Sequence, residues 1–142
     1  MYGGDNMLID RAKKFWDKEY DLNCAETIMH AANDEYDLGL SKETFKVMAS
    51  FGGGMAIEST CGAAAGAIGI LGIMFTNDRG HESPWVKELT KEFMDRFYEE
   101  LRTHNCTELK AQYRKDDIER CIVMIETAAK ILDDIVKREK RN

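Results

Sequence analysis

Cys24, Cys61, Cys106 and Cys121 each fall where a helix is expected to begin. Two share one local frame, Asn23-Cys24-Ala25-Glu26 and Asn105-Cys106-Thr107-Glu108. Asn is the expected N-cap there and Glu the returning arm of a capping box, so Cys becomes the first helical residue. Cys61 follows the hydroxyl pair Ser59-Thr60, and Cys121 follows Asp116 to Arg120, which reads as a first turn. A helix start presents free N–H groups and a partial positive charge, which favours thiolate over thiol. Cys61, with Gly62 behind it, is the expected most activated thiolate.

Successive cysteines are separated by 36, 44 and 14 residues, with no Cys-x-x-Cys. That spacing counts against a thioredoxin-like dithiol and against a zinc knuckle, so any shared site must be assembled by tertiary packing. Three chemistries remain open. Four thiolates can hold an iron–sulfur cluster or other redox metal, with N–H groups tuning its potential and Gly62 and Gly52 to Gly54 letting backbone approach closely. Two thiols can instead cycle with a disulfide, exchanging two electrons with a partner. The third is a structural zinc or interaction module whose cysteines never change oxidation state.

Other residues narrow the field. His104, two positions before Cys106, is a further candidate metal ligand or proton acceptor, whereas His30 and His81 read as surface histidines. Gly52-Gly53-Gly54 lacks the Gly-Lys-Ser/Thr continuation of a phosphate loop. A formal charge of −6 argues against a nucleic-acid partner. The first ten residues show no secretory pattern, which makes the cytoplasm the default home, where cysteines are more often catalytic or metal-bound than structural. Cys61 to Phe75, the most apolar stretch, is too short to insert comfortably in a bilayer. A redox partner is expected but unspecified, and a homo-oligomer stays open.

The elements that must position these thiols are helical. One proline in 142 residues, few β-branched runs and abundant Ala, Leu, Lys, Glu and Met favour helix. The pattern predicts an all-α, compact, single-domain bundle over 1–142, with about five to six helices around a central Gly/Ala-rich helix. Leu8, Ala12, Phe15 and Trp16 make the first apolar face, and a second helix runs from Asn23 to a left-handed C-cap at Gly39. Ser41 caps a short third. The central helix, Cys61 to Phe75, carries Gly66, Gly69 and Gly72, a spacing that predicts close backbone approach. Ser83-Pro84 reads as N-cap and N1 of a helix with Trp85, Leu89, Phe93 and Phe97 on one face, ending near His104. Ile118, Cys121, Ile122, Ile125, Ala129, Leu132 and Val136 make the last stripe, so Cys121 should face a shielded interior, while Asp133-Asp134 and Glu99-Glu100 read as solvated. The basic tail, Lys137 to Arg141, reads as a solvated helix end.

Asn23-Cys24-Ala25-Glu26, Phe51 to Met55, Cys61-Gly62-Ala63-Ala64-Ala65-Gly66, Cys106-x-x-Leu109 and Cys121 together resemble the family named for the four-cysteine pattern C_GCAxxG_C_C. The resemblance runs from about Met7 to Val136, with all four cysteine positions occupied. It implies a redox role for Cys24, Cys61, Cys106 and Cys121. The cysteine domain of split-Soret cytochromes is similar as well, and that likeness implies an iron–sulfur site. Covalent haem has no support, because no Cys-x-x-Cys-His is present.

Overall fold

Helix α4, Gly62–Phe75, is apolar almost all round, and a helix of that kind is stable only when neighbours cover it. The computed structural model describes residues 7–140, so the first six positions of the leader reading and Arg141 of the basic tail lie outside it. Around α4 stand α1 (Met7–Trp16), α2 (Cys24–Tyr36), α3 (Lys42–Val47), α5 (Pro84–Leu101), α6 (Cys106–Tyr113) and α7 (Ile122–Lys140). The chain is all-α, and among the described residues the only β pairing is an isolated antiparallel bridge between Thr60 and Asn105. The seven α-helices among the described residues exceed the expected five to six because α6, eight residues with only Cys106 and Leu109 buried, is too short to show a period.

Helices α2, α5 and α7 pack directly on α4, and α1 lies across α2 and α7. Ala63, Ala64, Ala67, Ile70 and Leu71 of α4 are fully buried against Ile28 of α2, Phe93 and Phe97 of α5, and Ile125, Leu132 and Ile135 of α7. Each large apolar side chain so buried contributes about 1.5–3 kcal/mol. Of Gly66, Gly69 and Gly72, only Gly66 supplies the expected close approach. A Cβ there would lie 2.7 Å from the Ala25 carbonyl oxygen of α2, whereas Gly72 faces open space and Gly69 meets only methionine tips.

Several boundaries differ from the sequence expectation for physical reasons. Helix α2 stops at Asp37 rather than Gly39, with Asp37 left-handed at φ 52° and its N–H donating to the Asn33 carbonyl. The Asn33 side chain also accepts from the Leu40 N–H at 2.9 Å, so one residue terminates the helix twice. Helix α5 ends at Leu101, short of His104, because Arg102 turns left-handed. Ser83 precedes Pro84 as expected, but its hydroxyl accepts from the Asn77 N–H at 2.9 Å and caps the preceding turn instead of its own helix. Trp85 stands off the core, 45% exposed, with its indole N–H donating to the Phe75 carbonyl. Asp133 is buried rather than solvated, since it accepts from the Tyr36 hydroxyl at 2.5 Å and pairs with Lys137 at 2.9 Å.

Candidate functional site

Helices α2, α4, α6 and α7 all begin around one cavity of about 250 Å³, and Cys24, Cys61, Cys106 and Cys121 all line it. Cys24 and Cys106 are the first residues of α2 and α6, behind Asn23 and Asn105, each of which accepts from the N–H three residues on. The Asn23 box is complete, because Glu26 accepts back from the Asn23 N–H at 2.8 Å. The Asn105 box is half made. Thr103 takes the Asn105 N–H at 3.0 Å and donates its own hydroxyl to Glu108, inserting itself between the two arms. Cys61 occupies the cap position of α4 itself, one place earlier than a first helical residue, and Cys121 precedes α7 in the same way, its carbonyl accepting from Ile125.

Two glycines set how closely these pieces meet. A Cβ on Gly62 would lie 2.4 Å from the Cys24 sulfur, so that thiol rests directly on the backbone of α4. Gly54 lies at φ 61°, and a Cβ there would come 2.7 Å from the Cys106 Cβ. It belongs to a strap, 53–58, in which Met55, Ala56 and Glu58 also have positive φ, a costly conformation for side chains with a Cβ. The strap is tied to α6 by Thr107, which donates to the Glu58 carbonyl at 3.1 Å, and by Lys110, 3.3 Å from the Glu58 carboxylate. At the adjoining bridge the Cys61 N–H donates to the His104 carbonyl at 2.8 Å and the Cys106 N–H to the Ser59 carbonyl at 2.5 Å.

The expected thiolate activation is overturned. Burial pushes all four thiols above the ordinary cysteine value. Cys61, 5% exposed, is pushed up to about 12 by burial and then by the neighbouring Cys24 charge. The helix-start donors do act in the predicted sense: N–H groups of Gly53 and Ala25 favour the Cys24 thiolate, and those of Ala64 and Ala63 the Cys61 thiolate. Desolvation outweighs them, as it does when an ion leaves water for an apolar wall. Lys110 draws Cys24, Cys106 and Cys121 downward, and Arg114 draws Cys121 the same way.

His104 is not among the residues lining this cavity. Its Nε2 faces the Met94 carbonyl at 2.7 Å, and its ring stacks on Phe97, so only its backbone joins the site. It lines instead an open groove of about 790 Å³ along α5, which contains no cysteine. His30 is sandwiched, with Phe45 at 4.0 Å between ring centroids and Phe15 at 5.6 Å, and burial lowers its pKa. His81 is exposed.

Sequence reasoning missed the cations. Lys110, Arg114 and Arg120 line the cavity beside the thiols. The signal was present: Lys110 is four residues after Cys106, one helical turn along the same face, and Arg120 directly precedes Cys121. Arg120 is held by Trp16, whose ring lies 4.0 Å beneath the guanidinium and whose carbonyl accepts from it at 2.6 Å. The Trp16 indole N–H donates in turn to the Glu119 carbonyl at 2.8 Å, closing that wall.

Among the described residues no three His, Cys, Asp or Glu side chains are grouped so as to hold a metal ion, and no helix is long and apolar enough to cross a membrane. No curated protein and no solved structure matches the chain. The profile of the family described as "Putative redox-active protein (C_GCAxxG_C_C)" matches residues 22–135, from just before Cys24 to the body of α7. With its four cysteines gathered at one cavity, the chain belongs to the C_GCAxxG_C_C family.

Proposed function

We propose that the cavity is an electron-transfer centre in which Cys24, Cys61, Cys106 and Cys121 hold an iron–sulfur cluster or another redox metal. The observation that carries this reading is the convergence of all four cysteines, from four different helix starts, on one shielded space. Core packing alone has no need to place cysteine at four helix starts and nowhere else. The donor set fits: four thiolates are the common ligation of such clusters. A lone zinc ion fits less well, since it asks for donors already gathered about one point, whereas a cluster takes its thiolates around a wider periphery.

When bound, such a group supplies one-electron transfer at a potential set by its charge, its hydrogen bonds and its exposure. The chain's own residues supply the rest. Burial keeps the thiols protonated in the metal-free protein, so loading must release protons and is favoured by rising pH. Lys110 and Arg114 offset the negative charge of the resulting thiolates. Gly62 leaves room for the Cys24 sulfur against α4, and the strap carries the Gly53 N–H to the same sulfur.

A metal-free dithiol cycle is the second reading, favoured by one observation: Cys24 is the leading charge neighbour of Cys61. That pair would be the one to exchange. Raised thiols, however, are slow nucleophiles at neutral pH.

The test is purification without oxygen, followed by a visible spectrum, assays of iron, sulfide and zinc, and a thiol count across redox potentials. Stoichiometric iron, or another redox metal, lost on Cys→Ser substitution at each position supports the first reading. A colourless protein that reversibly forms one disulfide supports the second. Stoichiometric zinc without redox change, or four thiols stable at every potential, overturns both.

A further inference from the structure

The wall of the thiol cavity has a charge opposite to that of the protein. The chain carries a formal −6, yet the cavity is lined by Lys110, Arg114 and Arg120, and none of its described lining residues is Asp or Glu. The carboxylates that approach these cations do so from outside. Glu58, about half exposed, stands 3.3 Å from Lys110, and Asp117, 93% exposed, only reaches to 3.8 Å of Arg114. Arg120 is satisfied by backbone carbonyls of Trp16 and Ile118 and by the Trp16 ring, partners that fix its position without cancelling its charge.

We infer that this cavity is an anion-selective pocket, and that its ligand is a small anion bearing a carboxylate, phosphate or sulfur-oxyanion group held by Lys110, Arg114 and Arg120. Lys110 lies on α6 one turn after Cys106 and Arg114 caps the end of that helix, and both line the cavity with Cys106, so an anion they hold is placed beside that thiol. Arg120 completes the grip from the α7 side, next to Cys121. A cleft of one sign with apolar walls, here Leu22, Leu109 and Met124, focuses the field and raises local anion concentration. A space of about 250 Å³ admits a small molecule and not a polypeptide segment.

This inference rests on the cavity being the reacting centre, but its test does not require that a metal be present. The reduced protein is alkylated with iodoacetate and, separately, with iodoacetamide. In both, a cysteine sulfur forms an S–C bond, the C–I bond breaks, iodide leaves and the thiol proton passes to solvent. The reagents differ chiefly in charge. The ratio of their rates therefore reads anion preference, since a change in thiolate fraction alters both alike. The iodoacetate-to-iodoacetamide ratio is expected to exceed that of free cysteine by about tenfold at low salt. It should fall toward the free-cysteine value as the Debye length shrinks to about 3 Å at 1 M salt. The Lys110→Gln/Arg114→Gln double variant should lose most of the excess. A ratio equal to that of free cysteine at low salt overturns the inference.

Where a bound group occupies the thiols, Trp16 gives the same answer. In a Trp85→Phe variant it is the only tryptophan, and it lines the cavity beneath Arg120. The iodide-to-caesium quenching ratio should exceed that of free tryptophan several-fold at low salt, and a ratio equal to the free value, or no quenching by either ion, overturns the inference. A protein with anion preference but no metal or redox cycle removes the proposed function and keeps the pocket. The reverse pattern removes the pocket alone.

Discussion

Gly66→Ala and Gly72→Ala, two identical changes six residues apart in α4, should shift stability in opposite directions. Either substitution gains about 1 kcal/mol of helix propensity. At Gly72 nothing lies within 4 Å of the new methyl group, so most of that gain should survive. At Gly66 the methyl would lie 2.7 Å from the Ala25 carbonyl oxygen and 3.1 Å from its Cα, and ordinary contact begins near 3.4 Å. The obstacle is backbone in the first turn of α2, so a helix must retreat by about 0.7 Å rather than a side chain rotate. Overpacking of this kind costs about 1–3 kcal/mol, leaving Gly66→Ala up to about 2 kcal/mol less stable than the native chain. For a chain of this length each kcal/mol moves Tm by about 3–4 °C. Urea titrations with unchanged m-values should therefore place the two midpoints on opposite sides of the native one. Retreat of α2 also carries Cys24 away from Cys61, so Gly66→Ala should lower metal retention or disulfide yield, whichever the centre uses, while Gly72→Ala leaves it intact. A Gly66→Ala protein as stable as Gly72→Ala would refute the argument that α2 and α4 are in backbone contact there.

The two asparagine caps should differ. Asn23→Ala removes the cap to Glu26 at 2.8 Å and the donations to the Met48 and Ala49 carbonyls at 3.3 and 3.2 Å, for about 2 kcal/mol in all. Asn105→Ala removes the Glu108 cap alone, at about 1 kcal/mol, and an equal or reversed order in denaturant would contradict this ranking. Stability should also fall in alkali. The folded Cys61 thiol, raised to about 12, keeps a proton that an unfolded thiol loses near pH 8.5, so its contribution is complete below that pH and is lost as pH rises through the folded value. The slope for this one thiol is about 1.4 kcal/mol per pH unit, and urea midpoints that stay level from pH 8.5 to 10.5, or whose slope Cys61→Ala does not reduce, would refute burial as the cause.

The parts of the fold that were legible are those in which one side chain decides one structure. The α7 stripe from Ile122 to Val136 and the two Asn caps act locally and are where the sequence places them, whereas Ile118, expected on that stripe, stands 73% exposed ahead of α7. Tertiary company decided the rest. Gly66, Gly69 and Gly72 look alike in sequence, and only the position of Ala25 separates the one that is needed from the two that are not. The placement of four thiols at helix starts was readable, but their protonation was not, because desolvation depends on what surrounds a sulfur and not on which residues flank it. Asp133 was misread for the same reason, since Tyr36, the partner that lets it be buried, lies 97 residues away. The cations were within reach, because the four-residue step from Cys106 to Lys110 is a helical neighbour relation.

The bridge between Thr60 and Asn105 bears on the order in which the molecule is made. It fixes Cys61 and Cys106 across 44 intervening residues, and the last wall arrives with Cys121, just before α7. Local helices form early, whereas a closure of that span waits for its loop entropy to be met. A chain leaving the ribosome therefore displays Cys24, Cys61 and Cys106 to water before the fourth wall exists. In that interval their thiols are ordinary cysteines in water, and closing the bridge begins the burial that raises Cys61 and Cys106.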